Sequence, residues 1–395
     1  MASSKLIISG PVVGREASCT SRAGPPQLRF GRARASAAAD LVFRHGRDGP
    51  GRQRDLPVVT SRSVAGNGAL MAEVERALGR KLAGVHAGIG QHAPARAVAE
   101  AVEAARKVDP LALVSLGGGS PIDAAKTVAF ALASGLDVSA ADAPRRARGI
   151  SLSGKRVLPH FAVPTTLSVA ELSTQAGFSA AGTQEKVGVA APELRCAAVF
   201  YDGALALHTP VDLWLSTGIR AVDHGVETLL APGQHPLPDL AALDGLRRLA
   251  AALRAVKKDP RSPAARTACQ LGAWFAYLLP GPAARGLSHT LGKRIGSRHG
   301  IPHGVTSCLL LPHVMRFVAG RNPRPLERIA AALGKNPPSA AAAADAVQAL
   351  IAELGLPQRI SAFGLSDEDL VEAVRPLAGK ELAEAELLGI MRAAY

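Results

Sequence analysis

Apolar and polar positions along the first half of the chain follow the rhythm strand, helix, strand. "QLRFGRA" and "DLPVVTSRS" predict two early strands, the second short, β-branched and followed by a loop. "ALMAEVERALG" (69–79) has helical apolar spacing, "AGVHAGI" predicts a further strand, "PARAVAEAVEAARKV" (94–108) a helix, and "LALVSL" (111–116) a buried strand. Segment 138–158 is polar and broken by Pro and Gly, which predicts a loop, and "HFAVPTT" and "CAAVFYD" return to strand character. This alternation implies a parallel sheet with crossover helices. From about Pro210 the period changes: helical spacing recurs at 211–230, 237–256, 263–279, 304–319, 325–334, 340–354 and 368–393, with almost no strand signal. The predicted class is α/β plus all-α, with an α/β domain over 27–208, a helical domain over 209–395 and a poorly ordered extension over 1–26.

Composition narrows the classes. The chain has 395 residues, of which 48% are hydrophobic and 20% charged, as in globular proteins. Aromatics are only 4%, and abundant Ala and Gly predict closely packed elements with small contact residues. No apolar run reaches the roughly 18 to 20 residues that cross a bilayer. Cys19, Cys196, Cys269 and Cys308 form no CxxC pair, which fits a reducing cytoplasm better than a disulfide framework. The first 26 residues lack the Arg-rich amphipathic helix or apolar core of a targeting peptide. Net charge is +14, but residues 1–55 hold ten Lys/Arg against four Asp/Glu, and no nucleic-acid motif accompanies the basic residues. The expectation is no nucleic-acid partner and some attraction for an anionic substrate or cofactor.

Candidate chemistry begins in "LALVSLGGGSPIDAAKTVAFAL". A buried strand enters Gly117, Gly118 and Gly119, then Ser120 as a predicted N-cap and Pro121 at the first helical position. Glycines let the backbone approach a ligand, and the helix N-terminus behind them offers N–H groups to a diphosphate. A bare strand–helix turn has the same glycines. Asp123 and Lys126, three apart, either pair with each other or face a ligand. Thr165 and Thr166 follow a strand ending at Pro164, at the carboxyl end where ligands of open α/β sheets sit.

In the helical half "GIRAVDHGVETLL" places His224 one turn after Arg220, and "GLSHTLGKRIG" and "GIPHGVTSCLLLPHV" add His289 and His303. Three imidazoles on separate helices suit a divalent metal, whereas a single histidine is more often a satisfied core or surface residue. The spacing allows a helix ending near His289 and another starting at His303. Arg220 on the same face as His224 is adverse to a cation and favourable to an anion.

Taken together, GGGSPIDAAK, VPTTLSVAEL, GIRAVDHGVE and GLSHTLGKRIGSRHGIPHGVTSCLLLPHVMRF resemble the iron-containing (group III) alcohol dehydrogenase family over about residues 55–320. The resemblance implies an N-terminal Rossmann-like dinucleotide-binding domain, a C-terminal helical domain, and an interdomain cleft for nicotinamide cofactor and substrate. It assigns cofactor contacts to Thr60, Ser61, Gly117, Gly118, Gly119, Ser120, Asp123, Thr165 and Thr166. Typical members hold a metal with one aspartate and three histidines. The histidine positions match His224, His289 and His303, but the aspartate position is Arg220, and Asp223, about 100° round the helix from His224, is expected to point elsewhere.

Arg-x-x-Asp-His resembles the maleylacetate reductase branch, which implies NADH- or NADPH-dependent reduction of an unsaturated oxo-dicarboxylate without a metal, with Arg220, His224, His289 and His303 as active-site residues. Lys293, Arg294 and Arg298 lie in the segment between His289 and His303, where surface exposure is the default for each and a cationic contact in the same cleft the alternative. The second strand ends in Thr60, Ser61 and Arg62 without an acid, so NADPH is expected to be tolerated. The alternatives are an iron- or zinc-dependent alcohol dehydrogenase using the three histidines, and a non-catalytic basic binding protein. A homodimer is the expected assembly by resemblance.

Overall fold

A computed structural model describes residues 27–30, 56–180, 186–232, 236–277, 286–379 and 382–395. The described strands are β1 (Gln27–Phe30), β2 (Leu56–Thr60), β3 (Leu82–His86), β4 (Leu113–Gly117), β5 (His160–Pro164), β6 (Gln175–Ser179), β7 (Lys186–Ala190) and β8 (Ala198–Tyr201). Between them lie helices α1 (Arg62–Ala65), α2 (Gly68–Leu78), α3 (Ala95–Val108), α4 (Gly119–Ser134) and α5 (Ala143–Arg148). After β8 come α6 (Gly203–Ala206), α7 (Val211–Leu230), α8 (Pro236–Lys258), α9 (Pro263–Ala276) and α10 (Leu287–His299). The chain continues through α11 (His303–Ala319), α12 (Pro323–Ala332), α13 (Ala340–Glu353), α14 (Asp367–Val374) and α15 (Glu384–Ala393). Two compact units result: the described residues up to Thr165 with Ala170–His208, and Thr166–Val169 with Thr209–Tyr395. The extension expected over 1–26 lies outside the described residues.

In the first unit, six parallel strands run in the order β1-β8-β5-β4-β2-β3. Period-two alternation feeds both faces. Val58, Val114, Leu116, Phe161, Val163 and Phe200 join α2 residues in one core, whereas Val59 and Leu113 join the α3 and α4 alanines in another. The helix α3 buries Ala97, Val98, Ala101, Val102 and Ala105, a stripe at helical spacing. Its loop-side neighbours differ from expectation in two places. Segment 138–158 contains the short α5, and Gln175–Ser179 and Lys186–Ala190 pair antiparallel as β6 and β7, whose central Gly177 and Gly188 blur the strand pattern.

The second unit is helical, and small residues set its spacing. A Cβ on Gly245 of α8 would sit 2.4 Å from the Ala276 backbone nitrogen, and one on Gly304 of α11 would sit 2.7 Å from the Ser216 carbonyl of α7. The span 368–393, read as one helix, is two: α14 ends before Pro376, whose ring cannot continue the helix, and α15 begins at Glu384. The helix α10 was not anticipated along its length; His289 lies in its first turn rather than its last, and His303 opens α11.

Candidate active site

The carboxyl ends of the central strands meet side by side. Thr60 of β2 is paired in register with Leu116 of β4, and Gly117 of β4 with Pro164 of β5. Beyond them stand the glycine turn and Thr165, whose N–H donates to the Gly117 carbonyl at 2.9 Å. Gly117 has φ +137°, and a Cβ there would come within 2.9 Å of Pro121 Cγ, so only glycine serves. Gly118, not Ser120, is the N-cap of α4, and it makes no side-chain cap hydrogen bond. The Ser120 hydroxyl instead accepts from the His92 N–H at 3.1 Å, which ties the turn to a neighbouring loop. Helix N–H groups left to a ligand rather than to a cap are the arrangement an anionic phosphate needs.

Other predicted contacts are committed internally. The Thr60 hydroxyl donates to the Leu116 carbonyl at 2.7 Å, and the Ser61 hydroxyl accepts from the Val64 N–H at 3.4 Å. Lys126 is fully buried and donates to the carbonyls of Ala170, Ser173 and Gln175, so its ammonium straps that segment to α4. Asp123 is half-buried in the second turn of α4. The chain passes from the first unit to the second between Thr165 and Thr166. Thr166 Oγ1 is buried with no hydrogen-bond partner among the described residues.

In the second unit, α7 presents Arg220, Asp223, His224 and Glu227 to Ser288 and His289 in the first turn of α10 and to Ser307 in the second turn of α11. Asp223 does not point elsewhere. Three residues advance a helix by about 300°, so Asp223 returns to the Arg220 face, with its Oδ2 3.3 Å from Arg220 Nη1. The same Oδ2 accepts from Ser288 Oγ at 2.9 Å and Ser307 Oγ at 2.6 Å, and Arg220 Nη1 also donates to Ser307 at 2.9 Å. Asp223 Oδ1 is buried without a partner among the described residues.

Glu227 caps α10: its Oε2 accepts from the Gly286 N–H at 2.9 Å and its Oε1 from the His289 N–H at 3.0 Å. His289 Nδ1 lies 2.7 Å from Glu227 Oε2 and 3.9 Å from Asp223 Oδ2. The rings of His224 and His289 are 4.6 Å apart, and Tyr277 stands edge-on to His224 at 4.8 Å.

Electrostatics here is set by burial. Removal from water pushes the Asp223 carboxyl up to about 6, helped by the Glu227 charge and opposed by His289 and Arg220. Burial pushes Glu227 up to about 7 against the α10 N–H groups that favour its ionised form. Burial also lowers the Arg220 guanidinium, with Asp223 and Glu227 holding it up. The remaining basic residues of α10 turn away. Arg298 pairs with Glu372 and Asp369, Arg294 donates to the Glu372 carbonyl, and Lys293 is exposed. The role of Glu227 was not read from the sequence, although the 220/223/227 spacing on one helix face signals it.

Residues 25–203 match the iron-containing alcohol dehydrogenases, and residues 214–386 match the C-terminal part of the same family. A maleylacetate reductase of Rhizobium sp. strain MTP-10005 is 29% identical over 354 residues, covering 90% of this chain and 89% of that protein. Another, from Sphingobium indicum, is 30% identical and covers 76% and 77%. The chain belongs to the iron-containing alcohol dehydrogenase family. The crystal structure of the Rhizobium reductase superposes with a TM-score of 0.76 at 26% identity, covering 94% of this chain and 97% of that one. Within the family the chain is an oxidoreductase of the maleylacetate reductase-like branch.

The family name implies iron, and the donor set does not fit the aspartate-and-three-histidine arrangement. The Arg220 guanidinium, one turn before His224 on the same helix face, is adverse to a cation there. Among the described residues, the group of metal-capable atoms within 4.8 Å of one another is Asp223, Glu227 and His289, which includes neither His224 nor His303. For a nicotinamide dinucleotide the first unit does fit, with the uncapped α4 N-terminus and Gly117–Gly119 facing the position a diphosphate takes.

Proposed function

We propose that this enzyme reduces the carbon–carbon double bond of maleylacetate, an unsaturated oxo-dicarboxylate, giving 3-oxoadipate at the expense of NADH or NADPH. The observation that carries the reading is Arg220, a partly buried guanidinium where the resemblance puts an anionic ligand in metal-dependent relatives, in a chain similar to maleylacetate reductases over most of its length. A nicotinamide, when bound, would supply the hydride that the alkene carbon farther from the ketone needs. The electron pair of the double bond then moves onto the ketone as an enolate, and the carbon nearer the ketone takes a proton. Arg220 offers a dicarboxylate its charge, and the imidazoles of His224, His289 and His303 serve to hold the enolate oxygen and deliver the proton. An arriving carboxylate competes with Asp223, whose carboxyl burial already pushes up to about 6, so Asp223 can yield the guanidinium by taking a proton. Gly117, Gly118, Gly119 and Ser120 would carry the diphosphate, with Asp123, Thr165 and Thr166 beside it. Thr60, Ser61 and the exposed Arg62 at the end of β2 include no acid to repel a 2′-phosphate, which supports use of NADPH as well as NADH.

The test follows nicotinamide absorbance with maleylacetate and either cofactor in the presence of a strong chelator. Undiminished turnover is expected. Turnover of simple alcohols restored by iron or zinc, without maleylacetate activity, would instead favour the metal-dependent alternative, for which the Asp223, Glu227 and His289 cluster offers ligands.

A further inference from the structure

Tyr277 lies in none of the sequence motifs that mark the family, yet packing carries it to the Arg220 face of α7. It is the C-cap residue of α9, and its N–H donates to the Trp274 carbonyl at 3.2 Å. Two glycines let that helix end sit low. A Cβ on Gly245 of α8 would meet the Ala276 backbone nitrogen at 2.4 Å, and one on Gly225 of α7 would lie 3.4 Å from the Ala276 Cβ. Gly225 directly follows His224, so the same close approach lays Tyr277 against the imidazole. The two ring centroids are 4.8 Å apart, edge to face at 62°. Such an arrangement holds an aromatic ring by its quadrupole as well as by its buried area.

The phenol oxygen bears on Arg220 as well. Arg220 is one turn before His224 on the same face of α7. Burial lowers the guanidinium, and the Tyr277 oxygen acts with the Asp223 and Glu227 carboxylates to hold it up. The hydrogen bonds that Arg220 makes to described residues leave from Nη1, to Asp223 and Ser307. Nη2 and Nε thus remain for an anion, and a guanidinium takes a carboxylate best through two parallel N–H groups. A phenol can accept from a guanidinium and donate to an anion at once.

We propose that Tyr277 is a specificity-determining residue in contact with substrate: its ring, braced on His224, walls the site, and its hydroxyl donates to the carboxylate that Arg220 binds. This role rests on the reading that Arg220 receives a dicarboxylate. Recognition is then shared between a cation from α7 and a neutral donor from the end of α9. No proton leaves the phenol, and its hydrogen bond is the same in the bound substrate and in the transition state. Binding of that uniform kind appears in KM and not in kcat.

Tyr277→Phe is the informative variant, because phenylalanine keeps the ring against His224 and removes only the hydroxyl. Steady-state kinetics should show the KM for maleylacetate raised roughly 10- to 100-fold, the worth of one hydrogen bond to a charged group. The kcat and the KM for the nucleotide should stay nearly as in the wild type. An unchanged KM for maleylacetate overturns the proposal, and so does a fall in kcat with KM unmoved, which would place the hydroxyl in the chemical step instead. Calorimetry with maleate, a simple unsaturated dicarboxylate, needs no turnover, and Tyr277→Phe should weaken its binding by a similar factor. If maleylacetate is not turned over but maleate binds the wild type more tightly than the variant, the substrate proposed above fails and the role of Tyr277 stands. If maleate binds both proteins alike, or neither, Tyr277 does not serve a dicarboxylate and the proposal is overturned.

Discussion

The Arg220–Asp223 contact shows how a single residue change is absorbed. Asp223 is fully buried and one of its oxygens collects Arg220, Ser288 and Ser307. Truncating one partner of a buried pair leaves the other charge stranded, at a cost of about 3 to 5 kcal/mol. Arg220→Met is therefore expected to lower stability by about 3 kcal/mol, read by urea unfolding. The double variant Arg220→Met, Asp223→Asn should recover most of that loss, since asparagine keeps the acceptor for both serines. It should not recover maleylacetate turnover. Recovery of turnover along with stability would mean that the guanidinium serves the fold and not the substrate.

At the scale of elements, glycine marks where helices touch. Gly245 of α8 faces the backbone of Ala276 at the end of α9, where even a methyl group has no room. Backbone cannot swing aside as a side chain can, so Gly245→Ala is expected to destabilise by about 1 to 3 kcal/mol, the usual range for overpacking. Gly68, in the first turn of α2, has nothing within 4 Å of an added Cβ and no positive φ. There the same substitution should stabilise by about 0.4 to 1 kcal/mol through the unfolded chain. Thermal unfolding of the two variants, shifting in opposite directions, checks the pair. Long amphipathic elements such as α3 and α7 were legible because their apolar stripes are continuous. The β6–β7 pair was not, because its glycines carry no apolar signal, and the N-cap of α4 is Gly118, two residues before Ser120, whose hydroxyl accepts from His92 instead.

For the molecule as a whole, the buried carboxylates link stability to pH. Glu227 is raised from 4.5 to about 7, so the folded state holds its proton more tightly than the unfolded chain. Its contribution is present in full below pH 4.5 and is lost as pH rises through about 7. Asp223, raised from 3.8 to about 6, behaves alike in a slightly lower window. The wild type should lose stability between pH 5 and 7.5, and Glu227→Gln should lose less, by up to about 3 kcal/mol. Urea midpoints at the two pH values measure the difference; equal slopes for both proteins would place the Glu227 proton in water in the folded state as well.

The sequence by itself determined the order of elements, the change from alternating strands and helices to helices alone, and the motifs that mark the family. Those properties are local: period, glycine placement and residue type survive without knowledge of what packs on what. Only the tertiary structure decided the partners. Arg220 read alone is a cation awaiting an anion, but α10 and α11 bring Ser288 and Ser307 to Asp223 and close the pair. Lys126 read alone either pairs with Asp123 or faces a ligand, but the segment 170–175 brings three carbonyls to it. His289 read with His224 and His303 is a candidate metal ligand, but Glu227, sixty-two residues earlier, takes its backbone N–H and lies beside its ring. The physical reason is common to all three: a buried polar group is satisfied by whatever the fold places within about 3 Å, and that neighbour is set by packing, not by sequence distance.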